Sequence, residues 1–417
     1  MRAITLLPSL LLATLASPMV NAADQQQYGL STPTAAQRAA AQTMMLAPNA
    51  NVAFRLQPQD PTPAPRSVPA VDEAPLIQIA LLLDTSNSMD GLINQARSQL
   101  WAIVNSLGPA THGGRRPVLQ VALYEYGKAT IPAAEQHLRQ VLPFTTDLDR
   151  VSEQLFALTT RGGEEYCGAA IRAASRGLSW STRASDLKVM IVAGNEPFTQ
   201  GVIDYRPAVI EAANAQGIVI NTIFCGQRDE GISSGWQDGA QLAGGTFNAI
   251  DTQRALVVIP APQDDELARL GLEINGTYLA YGHAGKEGAA RQMVQDANSS
   301  SLSQGSFASR AVCKANANYR NDHWDLVDAV ECKAVDLAAM ALADLPEGMR
   351  AMTPQQRTAY VAGKLAERRK IQERIQLLSL ERERFLATKR NVDAPALDDA
   401  IIASVRDQAK RRGFLFP

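Results

Sequence analysis

The sequence predicts an α/β protein with a doubly wound, mostly parallel six-stranded sheet, followed by an α-helical C-terminal region. Three observations carry that prediction. Apolar or β-branched runs alternate with helical patterns from residue 75 to about 259. Some of those runs, such as Val189-Met190-Ile191-Val192-Ala193 and 218–224, are nearly continuous, as strands covered on both faces should be. Beyond Pro260-Ala261-Pro262 the alternation stops and helix-length periodicity takes over.

Taken in order, residues 1–22 read as a secretory signal peptide. Arg2 precedes a short apolar core, and Val20-Asn21-Ala22 supplies small residues for cleavage. The expected location is therefore periplasmic or secreted, with no membrane span once the signal is removed, because the apolar run is short and interrupted. Residues 23–74 are rich in Pro, Ala and Gln and read as a semi-extended linker. Strands are expected at 76–83, 118–126, 138–144, 187–193, 218–225 and 246–250. Helices fit between them at 89–107, 147–158, 168–180, 204–216 and 234–243.

After this 75–259 domain, residues 260–345 are expected to form a helical extension, with helices at 263–280 and 323–344 and a flexible loop at 298–306. From Thr353 a long helix should begin, capped by Thr353 with Pro354 in its first turn. With a second helix at about 396–412 it reads as a C-terminal hairpin, 346–417, packing on its own chain and exposing a basic face; oligomerisation through these helices is the alternative.

Composition narrows the function classes. The 417 residues are 46% hydrophobic and 20% charged with a net charge of −2, so nothing suggests a nucleic-acid partner. Export makes the four cysteines candidates for disulfides. Cys313–Cys332 is the expected bridge and Cys167–Cys225 a second candidate; the other reading is buried free thiols.

The chemistry centres on Asp84-Thr85-Ser86-Asn87-Ser88, which directly follows the first strand. A strand ending at Asp84 sets its carboxylate at the carboxyl edge of the sheet, where open α/β sheets bind ligands. Asp84, Ser86 and Ser88 are all oxygen donors and suit a hard cation such as Mg²⁺, or Mn²⁺ or Ca²⁺. The competing reading is a helix N-cap.

This D-x-S-x-S loop resembles the metal-ion-dependent adhesion site (MIDAS) of von Willebrand factor type A (vWA) domains. The run 193–201, Asn221-Thr222-Ile223-Phe224-Cys225-Gly226 and Trp324-Asp325-Leu326-Val327-Asp328-Ala329 are further similar to an exported bacterial subgroup of type A proteins, which supplies no activity. The resemblance implies a second loop whose Thr completes the cation's shell; counting back from Gly168-Ala169-Ala170 puts Glu165 there. Glu165 is a hard-oxygen ligand, or else an acid in the first turn of a helix. It also implies a third loop bearing an Asp, where this chain has Gly194, with Asn195 and Glu196 as weaker candidates to reach in. By the same resemblance the function is protein binding, a partner's carboxylate completing the cation's coordination. The expected partner is an unidentified protein of the cell envelope.

Two other classes remain. One is a metal-free structural or oligomerising envelope protein. The other is a serine hydrolase using Gly231-Ile232-Ser233-Ser234-Gly235, with His283 or His323 as base; against it, Gln227-Arg228-Asp229-Glu230 separates this motif from the preceding strand. Ser234 reads instead as the cap of a helix near Trp236, and His112 as a surface residue. No catalytic residue is assigned.

Overall fold

Alternation along each strand sends side chains to two separate cores. In β1 (Leu76–Asp84), Ile77, Ile79, Leu81 and Leu83 enter one core while Ala80 and Leu82 enter the other. The computed structural model describes residues 74–250, 259–389 and 397–416, without the side chains at 88, 99 and 397–400. The expected signal peptide and nearly all of the linker lie outside the described residues.

β1 is flanked by β2 (Val118–Tyr126) and β4 (Leu187–Gly194), and the sheet is completed by β3 (Leu138–Thr145), β5 (Val219–Cys225) and β6 (Phe247–Ile250). The order is β3-β2-β1-β4-β5-β6, and every pairing is parallel except β2 with β3. Chain order therefore reverses beside β1, which makes its carboxyl end the topological switch point.

Helices α1 (Asp90–Leu107) and α2 (Leu148–Ala157) cover one face. The other face carries α3 (Cys167–Gly177), α4 (Tyr205–Gln216) and α6 (Trp236–Leu242), with the short α5 (Arg228–Ser233) before α6. Local chemistry sets their ends. Asp147 Oδ1 accepts the Arg150 amide at 3.0 Å to start α2, and Gly217 stops α4 at φ 67°.

After β6 come α7 (Asp264–Glu273), α8 (Gly285–Leu302), α9 (Gln304–Lys314), α10 (Leu326–Glu331), the long α11 (Pro354–Lys389) and α12 (Leu397–Arg411). Three expectations fail here. The predicted loop at 298–306 is helix on both sides of one extended residue, Ser303, whose hydroxyl accepts the Ser306 amide at 3.0 Å and so restarts a helix at once. Within 323–344 only α10 is helical. The hairpin is not formed: α11 packs on α7, α9 and α10, whereas α12 packs on α1, β4 and β6. Ile401, Val405, Ala409 and Phe414 complete the core over β1, each large apolar side chain contributing about 1.5–3 kcal/mol. Thr353 does cap α11, its hydroxyl taking the Gln356 amide at 3.3 Å while Gln356 Oε1 takes the Thr353 amide at 2.8 Å.

The helical insertion is joined to the sheet domain through buried polar contacts, and Ala70–Pro417 forms one compact unit. Trp101 Nε1 donates to Ser299 Oγ at 3.0 Å, and Ser152 Oγ to Gln295 Oε1 at 2.8 Å. Arg310 binds Asp149 and Asp296 at 2.6 Å each, Lys314 binds Asp296 at 2.7 Å, and Tyr319 donates to Asp149 at 2.7 Å.

All four cysteines are free thiols, so neither expected bridge is formed. Cys167 and Cys225 lie in the cores on opposite faces of the sheet. Cys313 is packed in the core that holds Trp101, while Cys332 points its thiol at the Ala329 carbonyl, 3.6 Å away. Among the described residues no helix is long and apolar enough to cross a membrane.

Candidate metal centre

β1 delivers Asp84 to the switch point, and the residues that follow turn back over it. The Ser86 amide donates to Asp84 Oδ1 at 2.7 Å, and a 3₁₀ turn at Asn87–Met89 leads into α1. Thr85 holds the loop down, its amide donating to the Tyr126 carbonyl at 2.8 Å and its carbonyl accepting from the Arg161 amide at 2.8 Å. The second loop is fixed by Asn87 Oδ1, which accepts the Gly162 amide at 2.7 Å, and by Gln200 Oε1, which accepts the Glu165 amide at 3.0 Å.

The result brings Asp84 and Glu165 into contact. Both are buried, at 0% and 4% exposure, and the Ser86 hydroxyl lies against both carboxylates. Asp84 Oδ2 and Glu165 Oε2 are buried without any hydrogen-bond partner. Burial, and then the neighbouring Glu165, push the Asp84 carboxyl well above the usual carboxylate range. Burial raises Glu165 too, against hydrogen bonds from Asp84 and Ser86. Two orphaned acceptor oxygens on touching carboxylates fit a cation, and a donor set made only of oxygen fits a hard one.

Among the described residues no group of three or more His, Cys, Asp or Glu surrounds a common point, so hydroxyl groups and water would supply the rest of the shell. The Ser88 side chain lies outside the described residues. Glu196 is exposed, yet its charge acts on Glu165 and its backbone amide donates to the Glu165 carboxylate, while its carbonyl accepts from Trp236 Nε1 at 2.9 Å. Asn195 is half-buried at the end of β4.

Three residues that the sequence did not mark shape this site. Tyr126 Oη donates to the Ala193 carbonyl at 2.8 Å and accepts from Cys167 Sγ at 3.6 Å. A Cβ at Gly194 would stand 2.6 Å from that hydroxyl and 3.1 Å from Asp84 Oδ2, so any larger residue there would have to displace the Tyr126 side chain. Gly127, at φ 78°, passes so close that a Cβ would meet Asp84 Oδ1 at 2.6 Å and Glu165 Cγ at 2.8 Å. The only sequence signal for Gly127 is its place directly after a strand; Tyr126 and Gln200 carry none.

Residues 78–231 match the family model described as von Willebrand factor type A domain. This part of the chain is a type A domain. Among solved structures it is similar to proximal thread matrix protein 1 from the mussel byssus, described with a zinc-occupied MIDAS motif, at 14% identity and TM-score 0.33 over 43% of this chain and 43% of that one. A type A protein from Catenulispora acidiphila is 17% identical over 42% of this chain and 39% of that chain, with TM-score 0.31. The pilus adhesin SpaC from Lactobacillus rhamnosus GG is 15% identical over 43% and 28%, with TM-score 0.32. The matched segment thus spans less than half of each of these proteins. No curated protein matches the chain.

The hydrolase motif does not make a nucleophile elbow in this type A domain. Ser233 ends α5 rather than following a strand, and its hydroxyl donates to the Glu230 carbonyl at 3.1 Å. Ser234 donates to the same carbonyl at 2.6 Å, so it closes α5 and leaves the start of α6 to Gly235. His323 sits beside Asp147 at 3.5 Å, and His112 contacts the Arg412 carbonyl at 3.1 Å.

Proposed function

We propose that the chain is an exported protein-binding module that engages a carboxylate of an envelope protein through a divalent cation, Mg²⁺ or a similar hard ion. Asp84, Ser86, Ser88 and Glu165 would hold the ion, which would supply an electrophilic point for the partner's oxygen. The single observation that supports this reading is the pair of buried, donor-less oxygens on Asp84 and Glu165. Buried carboxylates without a cation are unfavourable enough that proteins normally pair them.

The chain's own residues account for orientation. Thr85 and Asn87 lock the first loop to the second, Gly127 and Gly194 keep side-chain atoms away from the two carboxylates, and the Tyr126 hydroxyl lies beside Gly194, bonded to the Ala193 carbonyl. Glu165, standing where the family resemblance implies Thr, adds a negative charge to the ion's surroundings. The immobilised chain should capture its partner from envelope extract in Mg²⁺ and release it in EDTA, and Asp84→Ala should capture none. Capture indifferent to both treatments would overturn the reading.

A further inference from the structure

The inward stripe of α11, which includes Ile371, Ile375 and Leu378, is packed against the chain's own helices. Its opposite face carries a second stripe. Leu377 is 57% exposed and Leu380 52% exposed, and Glu373, Arg374, Glu381 and Arg384 surround them, all exposed. None of these four charges makes a close ion pair among the described residues, although Arg374 lies near enough to Glu266 to help lower its carboxyl. At about 3.6 residues per turn, positions 373, 377, 380 and 384 fall on one line down the helix, and 374 and 381 run beside it.

The order of residues along this stripe reads the same from both ends with charge reversed. About a two-fold axis midway between Leu377 and Leu380, an antiparallel second copy places its Leu380 against Leu377 and its Arg384 against Glu373. The same operation brings its Glu381 to the side of Arg374. Each contact occurs twice, as a closed isologous interface requires. A parallel arrangement would set Glu373 on Glu373 and Arg384 on Arg384. We infer that the outer face of α11 is a self-association surface, through which two copies of this chain pair antiparallel about Leu377 and Leu380. The occupant is a second copy because the charge pattern complements its own reverse.

Sedimentation velocity on the purified chain over a concentration series tests this. The expected result is a monomer–dimer equilibrium that weakens at high salt, because exposed ion pairs are screened. Leu377→Glu together with Leu380→Glu should leave a monomer with unchanged circular dichroism. Glu373→Arg and Arg384→Glu, each alone, should weaken self-association by about tenfold, since each opposes like charges twice. Mixing those two variants should restore a dimer, because positions 373 and 384 then carry opposite charges in both of the facing pairs. A wild-type chain that stays monomeric, a dimer insensitive to the Leu changes, or single variants that do not recover on mixing would overturn the inference.

Discussion

Among the described residues, two of the places that bury a pair of carboxylates are solved differently. At the junction between the sheet domain and the helical insertion, Asp149 and Asp296 share Arg310, and Lys314 adds a second cation to Asp296. Burial pushes Asp296 up, but Lys314 and Arg310 outweigh it and hold its carboxyl below the usual range. Burial also pulls Lys314 down, to about 8, which leaves it charged at neutral pH. At the carboxyl edge of β1, Asp84 and Glu165 are also buried, without a protein cation among the described residues, and both carboxyls are pushed up. The first pair brings its counter-ion within the chain. For the second, we propose that a cation taken up from outside plays that part.

The largest expected effect breaks the first region. Arg310→Met should destabilise the chain by about 3–5 kcal/mol in urea unfolding, because it strands buried carboxylates, and Mg²⁺ should not rescue it. The second effect belongs to the other region: Mg²⁺ at about a hundred times its dissociation constant should stabilise the wild type by about 2.7 kcal/mol and Asp84→Ala not at all. Next, Gly194→Ala should cost about 1–3 kcal/mol by pressing on the hydrogen-bonded Tyr126 hydroxyl, and adding Tyr126→Phe should recover part of it. Unfolding midpoints with and without the second substitution would check this.

The smallest effect is one of sign. Because Asp84 and Glu165 titrate above their unfolded values, their contribution in EDTA is fully present below the ordinary carboxylate range and is lost as pH rises through the raised values. Asp296, held low, does the reverse: its contribution is present above the ordinary range and is lost on acidification. Urea midpoints of the wild type against Asp84→Asn with Glu165→Gln, measured in EDTA across pH, should show the wild type losing ground as pH rises. A gap that does not change with pH would contradict the shared burial of the two carboxylates.

Most of the sheet domain was legible because its signals are local. Strand runs, the Asp84 loop and the count back to Glu165 depend on neighbours in sequence, and β1 to β6 fall within a residue or so of expectation. What the sequence hid is pairing at long range. The partnership of Arg310 with Asp149 joins residues 161 apart, and no periodicity announces it. The destination of α12 was missed for the same reason: its apolar stripe fits either a hairpin partner or a sheet face, and only the sheet offers the gap between α1 and β6. In sequence Gly194 shows only as the absence of an aspartate, and the Tyr126 hydroxyl, 2.6 Å from where its Cβ would stand, shows only in the fold. The cysteine pairings rested on compartment and spacing, and the fold divides Cys167 from Cys225 by the thickness of the sheet.

On the proposed reading, the carboxylate pair at the edge of β1 takes up a divalent cation. Calorimetric titration of the metal-free chain with Mg²⁺ tests it most directly, run beside Asp84→Ala and Glu165→Gln. The wild type should bind a single ion saturably, Asp84→Ala should bind none and Glu165→Gln should bind more weakly; a wild type that takes up no Mg²⁺, Mn²⁺ or Ca²⁺, or variants that bind as it does, would overturn the metal assignment.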